Sequence, residues 1–208
     1  MTKNELVDRL IIRELIEDWA VARDAGDWER FRSVWHADGR MQATWWQGPF
    51  EEFIEASQAG IAAGVQILHF LGGSSIDVRD DRAIAQTKMT ITQRADVEGV
   101  ACDVICTGRF YDFLERRSGR WGLVLRQPIY EQDRIAQIAS GPTPVLDPAI
   151  LGRFPAGYRH LAYVQTRLGY DVKRDMPGLS GEQIERLLSD GAAWLDGDIP
   201  CGIRSPSS

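Results

Sequence analysis

The feature that most constrains the fold is a helix, a break and a second helix close to the N-terminus. The first helix is amphipathic, because apolar residues recur at helical spacing along one face: Leu6, Leu10, Leu15, Ile16, Trp19 and Ala20. Its last turn carries Asp24 inward, and Gly26 then ends the helix. Asp27 is typical of an N-cap and predicts a short second helix over residues 28–36. An acid that points inward needs a partner from later in the chain.

The segments that follow predict an antiparallel sheet. After a short aromatic strand (41–46) and a third helix (50–63), four segments rich in Val, Ile, Thr and aromatic residues are separated by turn sequences: 74–78, 83–93, 100–114 and 121–130. Three N-terminal helices followed by such hairpins indicate an α+β fold. In this fold the helices cover one face of a curved antiparallel sheet and leave a pocket between the two layers.

The last third of the chain returns to helical patterns. Residues 139–144, Ala-Ser-Gly-Pro-Thr-Pro, are typical of a linker, and helices are predicted over 147–151, 156–166 and 181–194. The chain is therefore divided into an α+β domain (1–138) and a linker with a helical C-terminal extension (139–208). We expect the extension to pack on the domain or on a neighbouring subunit.

Composition argues against two classes of partner. The net charge of -6 and the pI near 5.1 disfavour nucleic acid, since no run of Lys or Arg offsets them. No window has the apolar length of a membrane span and no signal-peptide pattern opens the chain, so we expect no membrane partner and a cytoplasmic location. Cys102, Cys106 and Cys201 lack the second pair that a zinc site needs, and we expect reduced thiols.

Four stretches together resemble a known family. They are Asp-Arg-Leu-x-Ile-Arg-Glu-Leu-x-x-x-Trp at 8–19, Gly-Asp-Trp-x-x-Phe at 26–31, Ile-Leu-His-Phe-Leu-Gly at 67–72 and Gly-Arg-Phe-Tyr-Asp-Phe-Leu-Glu-Arg-Arg-Ser-Gly-Arg-Trp at 108–121. Their order and spacing resemble the nuclear transport factor 2-like superfamily, specifically its polyketide-cyclase-like branch. That branch includes scytalone dehydratase and hexachlorocyclohexane dehydrochlorinase. The resemblance implies a cone-shaped barrel.

The same resemblance implies catalytic residues. In the dehydrochlorinase-type pattern, an Asp at the end of the first helix and a His before the second strand form a dyad, and these positions correspond to Asp24 and His69. An Arg late in the last strand corresponds to Arg126. Where that pattern has a Lys one turn before the Asp, this chain has Trp19, which does not suit a chloride leaving group. The resemblance implies no metal and no cofactor.

The chemistry of a His beside a carboxylate indicates a reaction type, independently of the resemblance. A neutral imidazole takes a proton near pH 7, and the carboxylate stabilises the imidazolium, an effect commonly worth about 10²–10⁴-fold in rate. The sequence has no Gly-x-Ser-x-Gly motif, no metal-ligand cluster and no Gly-rich phosphate loop. Because these other reaction types lack their motifs, the remaining candidate is proton abstraction followed by elimination. Arg126 would stabilise the developing anion or a leaving hydroxyl.

Each candidate also has a purely structural interpretation. His69 could be a satisfied structural histidine, Asp24 could accept hydrogen bonds in its own turn, and Arg126 could pair with an acid on the sheet. The candidate substrate-binding residues are Trp19, Trp45 and Cys106. Most tryptophans are expected in the core, although Trp45 could stack on an aromatic ring.

These observations favour a cofactor-independent lyase that acts on a small hydroxylated aromatic or polycyclic substrate. It would eliminate water or another small group such as formaldehyde. A polyketide-cyclase or isomerase activity is the first alternative, and a non-catalytic small subunit of a ring-hydroxylating dioxygenase is the second. Apolar residues on the sheet face away from the helices also predict a homo-oligomer, a dimer or trimer built sheet to sheet.

Overall fold

The computed structural model describes residues 2–200 and residue 203, so Cys201 lies outside the described residues. The elements, in chain order, are α1 (Lys3–Ala25), α2 (Trp28–Ser33), β1 (Trp35–Gln42), β2 (Gln47–Pro49), α3 (Phe50–Ala62), β3 (Gln66–Arg79), β4 (Arg82–Val97), β5 (Val100–Arg117), β6 (Arg120–Gln137), α4 (Pro148–Leu151), α5 (Arg159–Arg167) and α6 (Glu182–Leu195). The predicted α+β class is confirmed. Within this part of the chain, no helix combines the length and apolar character needed to cross a bilayer.

The strands form one curved, unclosed sheet in the order β2-β1-β6-β5-β4-β3. The β3–β4, β4–β5 and β5–β6 pairs are antiparallel hairpins, as predicted. The β1–β6 pair is parallel, which differs from the expectation of a fully antiparallel sheet. The difference arises because β1 enters the sheet from α2 and lies between its sequence neighbour β2 and the last strand, β6.

The caps of the first two helices lie where the sequence predicts them. Gly26 has a left-handed backbone with φ of 72°, and its N–H donates to the carbonyls of Ala22 and Arg23. The carboxylate of Asp27 accepts a hydrogen bond from the backbone N–H of Arg30 at 3.1 Å. These caps end α1 one residue after Asp24 and fix where its side chain emerges.

The second helix is shorter than predicted. It ends at Ser33, because Trp35 and His36 belong to β1 instead of the helix. Trp35 pairs with Leu123 of β6, and the His36 Nε2 lies 2.8 Å from the carbonyl oxygen of Glu115. Long-range pairing with the sheet thus overrides the local helical pattern.

The third strand is longer than predicted and contains His69. The sequence indicated a strand only over 74–78, but β3 begins at Gln66. The intervening Gly72 and Gly73 fall where the register with β4 shifts, between Leu71 and Ser74. His69 therefore lies inside a strand rather than before it, correcting the position that the resemblance implied.

Both faces of the sheet are covered, and the C-terminal extension contributes to each. The N-terminal helices and α5 pack on one face, the inner face, which includes Phe110. Helix α6 packs on the outer face through Ile184, Leu187 and Trp194, which contact a cluster that includes Tyr111 and Phe113. Gly191 permits this close approach, because a Cβ there would collide with the Tyr111 side chain.

Candidate active site

Asp24 and His69 meet on the inner face through two hydrogen bonds. The His69 backbone N–H donates to Asp24 Oδ2 at 2.6 Å, and the His69 Nδ1 lies 2.8 Å from Asp24 Oδ1. The Asp24 side chain is only 15% exposed, and the His69 side chain is 6% exposed. The predicted contact between residues 45 positions apart is confirmed. It forms because the end of α1 packs directly on β3.

The environment keeps the His69 ring neutral. Burial lowers the pKa of His69; the Asp24 hydrogen bond and charge oppose this, and the positive charges of Arg23 and Arg126 lower it further. Because Nδ1 faces a carboxylate, Nδ1 carries the ring proton and Nε2 is left with a free lone pair. A neutral imidazole with a free Nε2 is a competent general base near neutral pH.

His69 lines a small cavity of about 30 Å³. Five aromatic residues contribute to its wall: Trp19, Trp45, Phe53, Phe110 and Tyr130. The extension closes it, since Leu161 and Gln165 of α5 also line it, and Thr44 donates a hydrogen bond to Gln165 Oε1 at 2.7 Å. The space holds at most a few waters. A substrate larger than this therefore requires part of the wall to move.

Trp19 and Trp45, two of the predicted substrate-binding residues, are both in the cavity wall. Trp19 lies edge-on to His69, with ring centroids 5.3 Å apart. Trp45 lies between Phe53 and Tyr170, with centroid distances of 5.5 and 5.2 Å. Both are placed to contact a ring beside Nε2, and their substrate contact stays a prediction.

Arg126 lies behind this wall. Its Nε and Nη2 donate to the two carboxylate oxygens of Asp112 at 2.7 Å each, and both side chains are completely buried. The guanidinium carbon lies 4.3 Å from the Trp19 ring centroid and 4.1 Å from that of Phe110. Arg126 is not among the cavity-lining residues. The structure supports a positioning role for it, and its predicted catalytic contact with substrate stays a prediction.

Cys106, the remaining substrate-binding candidate, also lies outside the cavity wall. Its thiol donates to the carbonyl of Gly157 at 3.5 Å. Burial, assisted by the charge of Asp133, raises the pKa of the Cys106 thiol well above its ordinary value. The thiol therefore stays protonated and packs beneath the segment that leads into α5. Its substrate contact also stays a prediction.

A second His–Asp pair repeats the hydrogen bonds of the first outside the cavity. The His160 Nδ1 lies 2.8 Å from Asp133 Oδ1, and the His160 backbone N–H donates to Asp133 Oδ2 at 2.6 Å. Asp133 Oδ2 also accepts from the Leu161 N–H at 2.9 Å. Asp133 thus caps the first turn of α5, and the pair holds this helix to β6.

Two further residues of the site were missed from the sequence. Arg23 lines the cavity with its side chain almost completely buried, and Tyr130 is buried in the same wall. Spacing from Trp19 and Ala20 places Arg23 on the apolar face of α1, which was an available signal. Burial raises the pKa of Tyr130, so its phenol stays protonated as a donor. Across the described residues, His, Cys, Asp and Glu form no group of three suited to a metal ion.

Sequence comparison assigns this chain to a family. The model of the SnoaL-like domain matches residues 4–127. The chain belongs to the SnoaL-like domain family. The resemblance to the polyketide-cyclase-like branch is thereby confirmed, and the matched region includes α1, β3 and all three residues of the predicted catalytic set.

Fungal relatives extend the similarity beyond the SnoaL-like domain. Pea pathogenicity protein 2 of Fusarium vanettenii is 36% identical over 203 residues, covering 92% of this chain and 87% of that protein. An uncharacterized protein of Emericella nidulans is 35% identical over 210 residues, covering 93% and 88%, respectively. Because these alignments cover nearly the whole chain, they include most of the C-terminal extension.

Solved structures share the fold at low sequence identity. A candidate scytalone dehydratase from Novosphingobium aromaticivorans has a TM-score of 0.54 at 17% identity, covering 69% of this chain and 96% of that one. A type 2 hexachlorocyclohexane dehydrochlorinase has a TM-score of 0.53 at 18% identity, covering 70% and 97%. At these identities the likeness shows the SnoaL-like fold alone.

Proposed function

We propose that this SnoaL-like protein is a cofactor-independent lyase. It eliminates water, or another small group such as formaldehyde, from a small hydroxylated aromatic substrate. The observation that carries the proposal is the Asp24–His69 pair, in which the carboxylate occupies Nδ1 and leaves Nε2 free in an aromatic cavity. The names of the two fold neighbours, a dehydratase and a dehydrochlorinase, both describe eliminations and support the same reaction type.

Loss of water requires one proton transfer in each direction. His69 Nε2 takes a proton from the carbon next to the one that carries the hydroxyl, and the C–H electron pair becomes the new double bond. The C–O bond breaks, and the imidazolium returns its proton to the departing oxygen, so water leaves and neutral His69 is restored. Asp24 stabilises the transient imidazolium, and the protonated Tyr130 phenol is a second donor for the departing oxygen.

The test is a mass measurement on a panel of hydroxylated aromatic and polycyclic compounds without added metal or nucleotide. We expect a product lighter by water or formaldehyde, formed about 10²-fold or more slowly by His69→Ala and Asp24→Asn. Arg30→Gln is the control, because Arg30 is hydrogen-bonded to Asp18 and is not among the cavity-lining residues. It should retain the rate of the parent protein.

The other outcomes identify the alternatives. A product of unchanged mass that depends on Asp24 more than on His69 would indicate a cyclase or isomerase. An unaltered panel together with co-purification of a larger oxygenase chain would indicate the small-subunit function. Full activity in His69→Ala would remove the general base and contradict the proposal.

A further inference from the structure

A second, smaller cavity of about 10 Å³ adjoins the cavity that contains His69. The two share Arg23, Trp45, Ile67 and Gln165 in their walls. The smaller cavity lies beside α3, and its remaining wall includes Ser57, Gln93 and Tyr170. A substrate whose reacting carbon lies at His69 would therefore place its far end here.

Three side chains that line this second cavity each have a polar atom without a hydrogen-bond partner. Arg23 Nε, Ser57 Oγ and Gln93 Oε1 make no hydrogen bond to any described residue, although each residue is 4% exposed or less. They come from three different elements, α1, α3 and β4. Buried polar groups are normally hydrogen-bonded, and leaving three of them unpaired in one place costs free energy unless something binds there.

The positive charge of Arg23 is only loosely paired. Its nearest carboxylate oxygen is Asp24 Oδ1, 3.7 Å from Nη1, and both oxygens of Asp24 already accept hydrogen bonds from His69. Burial lowers the pKa of Arg23, with Asp24 opposing the effect. Arg126 shows the contrast, because its guanidinium is neutralised bidentately by Asp112 at 2.7 Å. A guanidinium without such a partner is suited to a bound anion.

We propose that Arg23, Ser57 and Gln93 form a subsite for an anionic oxygen of the substrate, either a carboxylate or an ionised phenol. Arg23 and Ser57 donate to this oxygen, and the amide of Gln93 presents its NH₂ or its oxygen according to how it is turned. The proposal rests on the proposed function, because it specifies the substrate class of the same site as an aromatic acid.

The C-terminal extension controls access to this subsite. Tyr170 and Gln165 close its wall, and the Tyr170 hydroxyl lies close to Gly60 of α3, 3.3 Å from the position that a Cβ there would occupy. The cavity as it stands accommodates about one water. Binding of an aromatic acid therefore requires part of this wall to move outward.

The test measures binding without turnover, by quenching of tryptophan fluorescence and by calorimetry. The probes are 1-naphthoate, its methyl ester and 1-naphthol, the last measured below and above its own pKa. We expect naphthoate or ionised naphthol to bind about tenfold or more tightly than the ester, and this preference to disappear in Arg23→Met. Ser57→Ala should reduce the preference for the anion several-fold. This second variant tests the proposal even if Arg23→Met does not fold.

The control variants separate this proposal from the lyase proposal. Arg30→Gln removes an exposed arginine hydrogen-bonded to Asp18 and should leave the preference intact. His69→Ala abolishes the proposed base and frees Asp24 Oδ1, the oxygen nearest Arg23, so it should weaken the preference without abolishing it. Equal affinity for acid and ester in the parent protein, or the same preference in Arg23→Met, would overturn the subsite while leaving an observed elimination untouched. Tighter binding of the acid than of the ester, without any observed elimination, would overturn the lyase proposal and leave the subsite proposal standing.

Discussion

At the scale of single residues, the site depends on how charges are distributed around His69. Both carboxylate oxygens of Asp24 contact His69, and the charge of Arg126 is neutralised by Asp112. Arg23 is therefore the cation next to the dyad that has no bidentate carboxylate partner. This charge lowers the pKa of His69 in the same direction as burial does. Arg23 therefore acts on the base and on any bound anion together.

The first residue-scale prediction concerns the titration of His69. Removing the positive charge in Arg23→Gln should raise the His69 pKa, because one of the causes that lower it is lost. NMR titration of the histidine ring protons measures this directly, and the acid limb of any elimination rate should move to higher pH with it. Arg30→Gln should leave the titration unchanged. An unchanged or lower His69 pKa in Arg23→Gln would contradict the charge argument.

The lowered pKa of His69 also determines how the stability of the folded protein changes with pH. Because the folded-state pKa of His69 lies below its ordinary value, the folded protein resists protonating this ring. The stabilisation is present above the ordinary pKa and is lost as the pH falls through the folded-state pKa. Urea denaturation should show a smaller loss in acid for His69→Ala than for the parent protein.

At the scale of elements, α6 covers part of the sheet, whereas the sequence predicted only that the extension packs on the domain or on a neighbouring subunit. The predicted extension packs across the outer face of the sheet, where Ile184, Leu187 and Trp194 join the cluster around Phe113. Trp194 also donates through Nε1 to the carbonyl of Leu114 at 3.2 Å. The outer apolar surface that motivated a sheet-to-sheet oligomer is thus partly covered within one chain.

Two neighbouring leucines of α6 test this packing. Leu187 is buried against the sheet, whereas Leu188 is 42% exposed. Leu187→Ala should lower the free energy of unfolding by about 2–4 kcal/mol, and Leu188→Ala by less than about 1 kcal/mol. Urea denaturation measures both. Equal, small effects would mean that α6 does not contribute to the stability of the sheet.

At the scale of the whole molecule, the homo-oligomer remains a prediction with a revised location. Leu68 and Phe70 flank His69 on β3, point to the outer face and are 64% and 74% exposed. They lie on the edge strand β3, away from the strands that α6 covers. Association through this part of the outer face would remove both side chains from water.

The corresponding experiment is sedimentation equilibrium at micromolar concentration. We expect a mass above that of the 23.3 kDa chain, and Phe70→Asp should shift it toward the monomer. Val145→Asp places the same charge at another exposed apolar residue and should have no effect. A monomeric parent protein would show that the cover provided by α6 is sufficient. The cytoplasmic location also remains a prediction.

The sequence by itself determined the features that depend on local patterns. Apolar spacing defined α1, the Gly26 and Asp27 caps defined its end, and turn sequences defined the three hairpins. The family resemblance added the pairing of Asp24 with His69, which no local pattern contains. These predictions succeeded because helix periodicity, caps and tight turns are set by residues within a few positions of one another.

Only the tertiary structure decided features that depend on distant neighbours. The parallel β1–β6 pairing converted the end of a predicted helix into a strand, and Asp112 holds Arg126 in a buried ion pair. The burial of Arg23 next to Ser57 and Gln93 needs α1, α3 and β4 in place together. The position of α6 on the outer face depends on a contact between Gly191 and Tyr111, 80 positions apart in the sequence. Burial and pairing across such separations are properties of the packed chain, and no local pattern of residues encodes them.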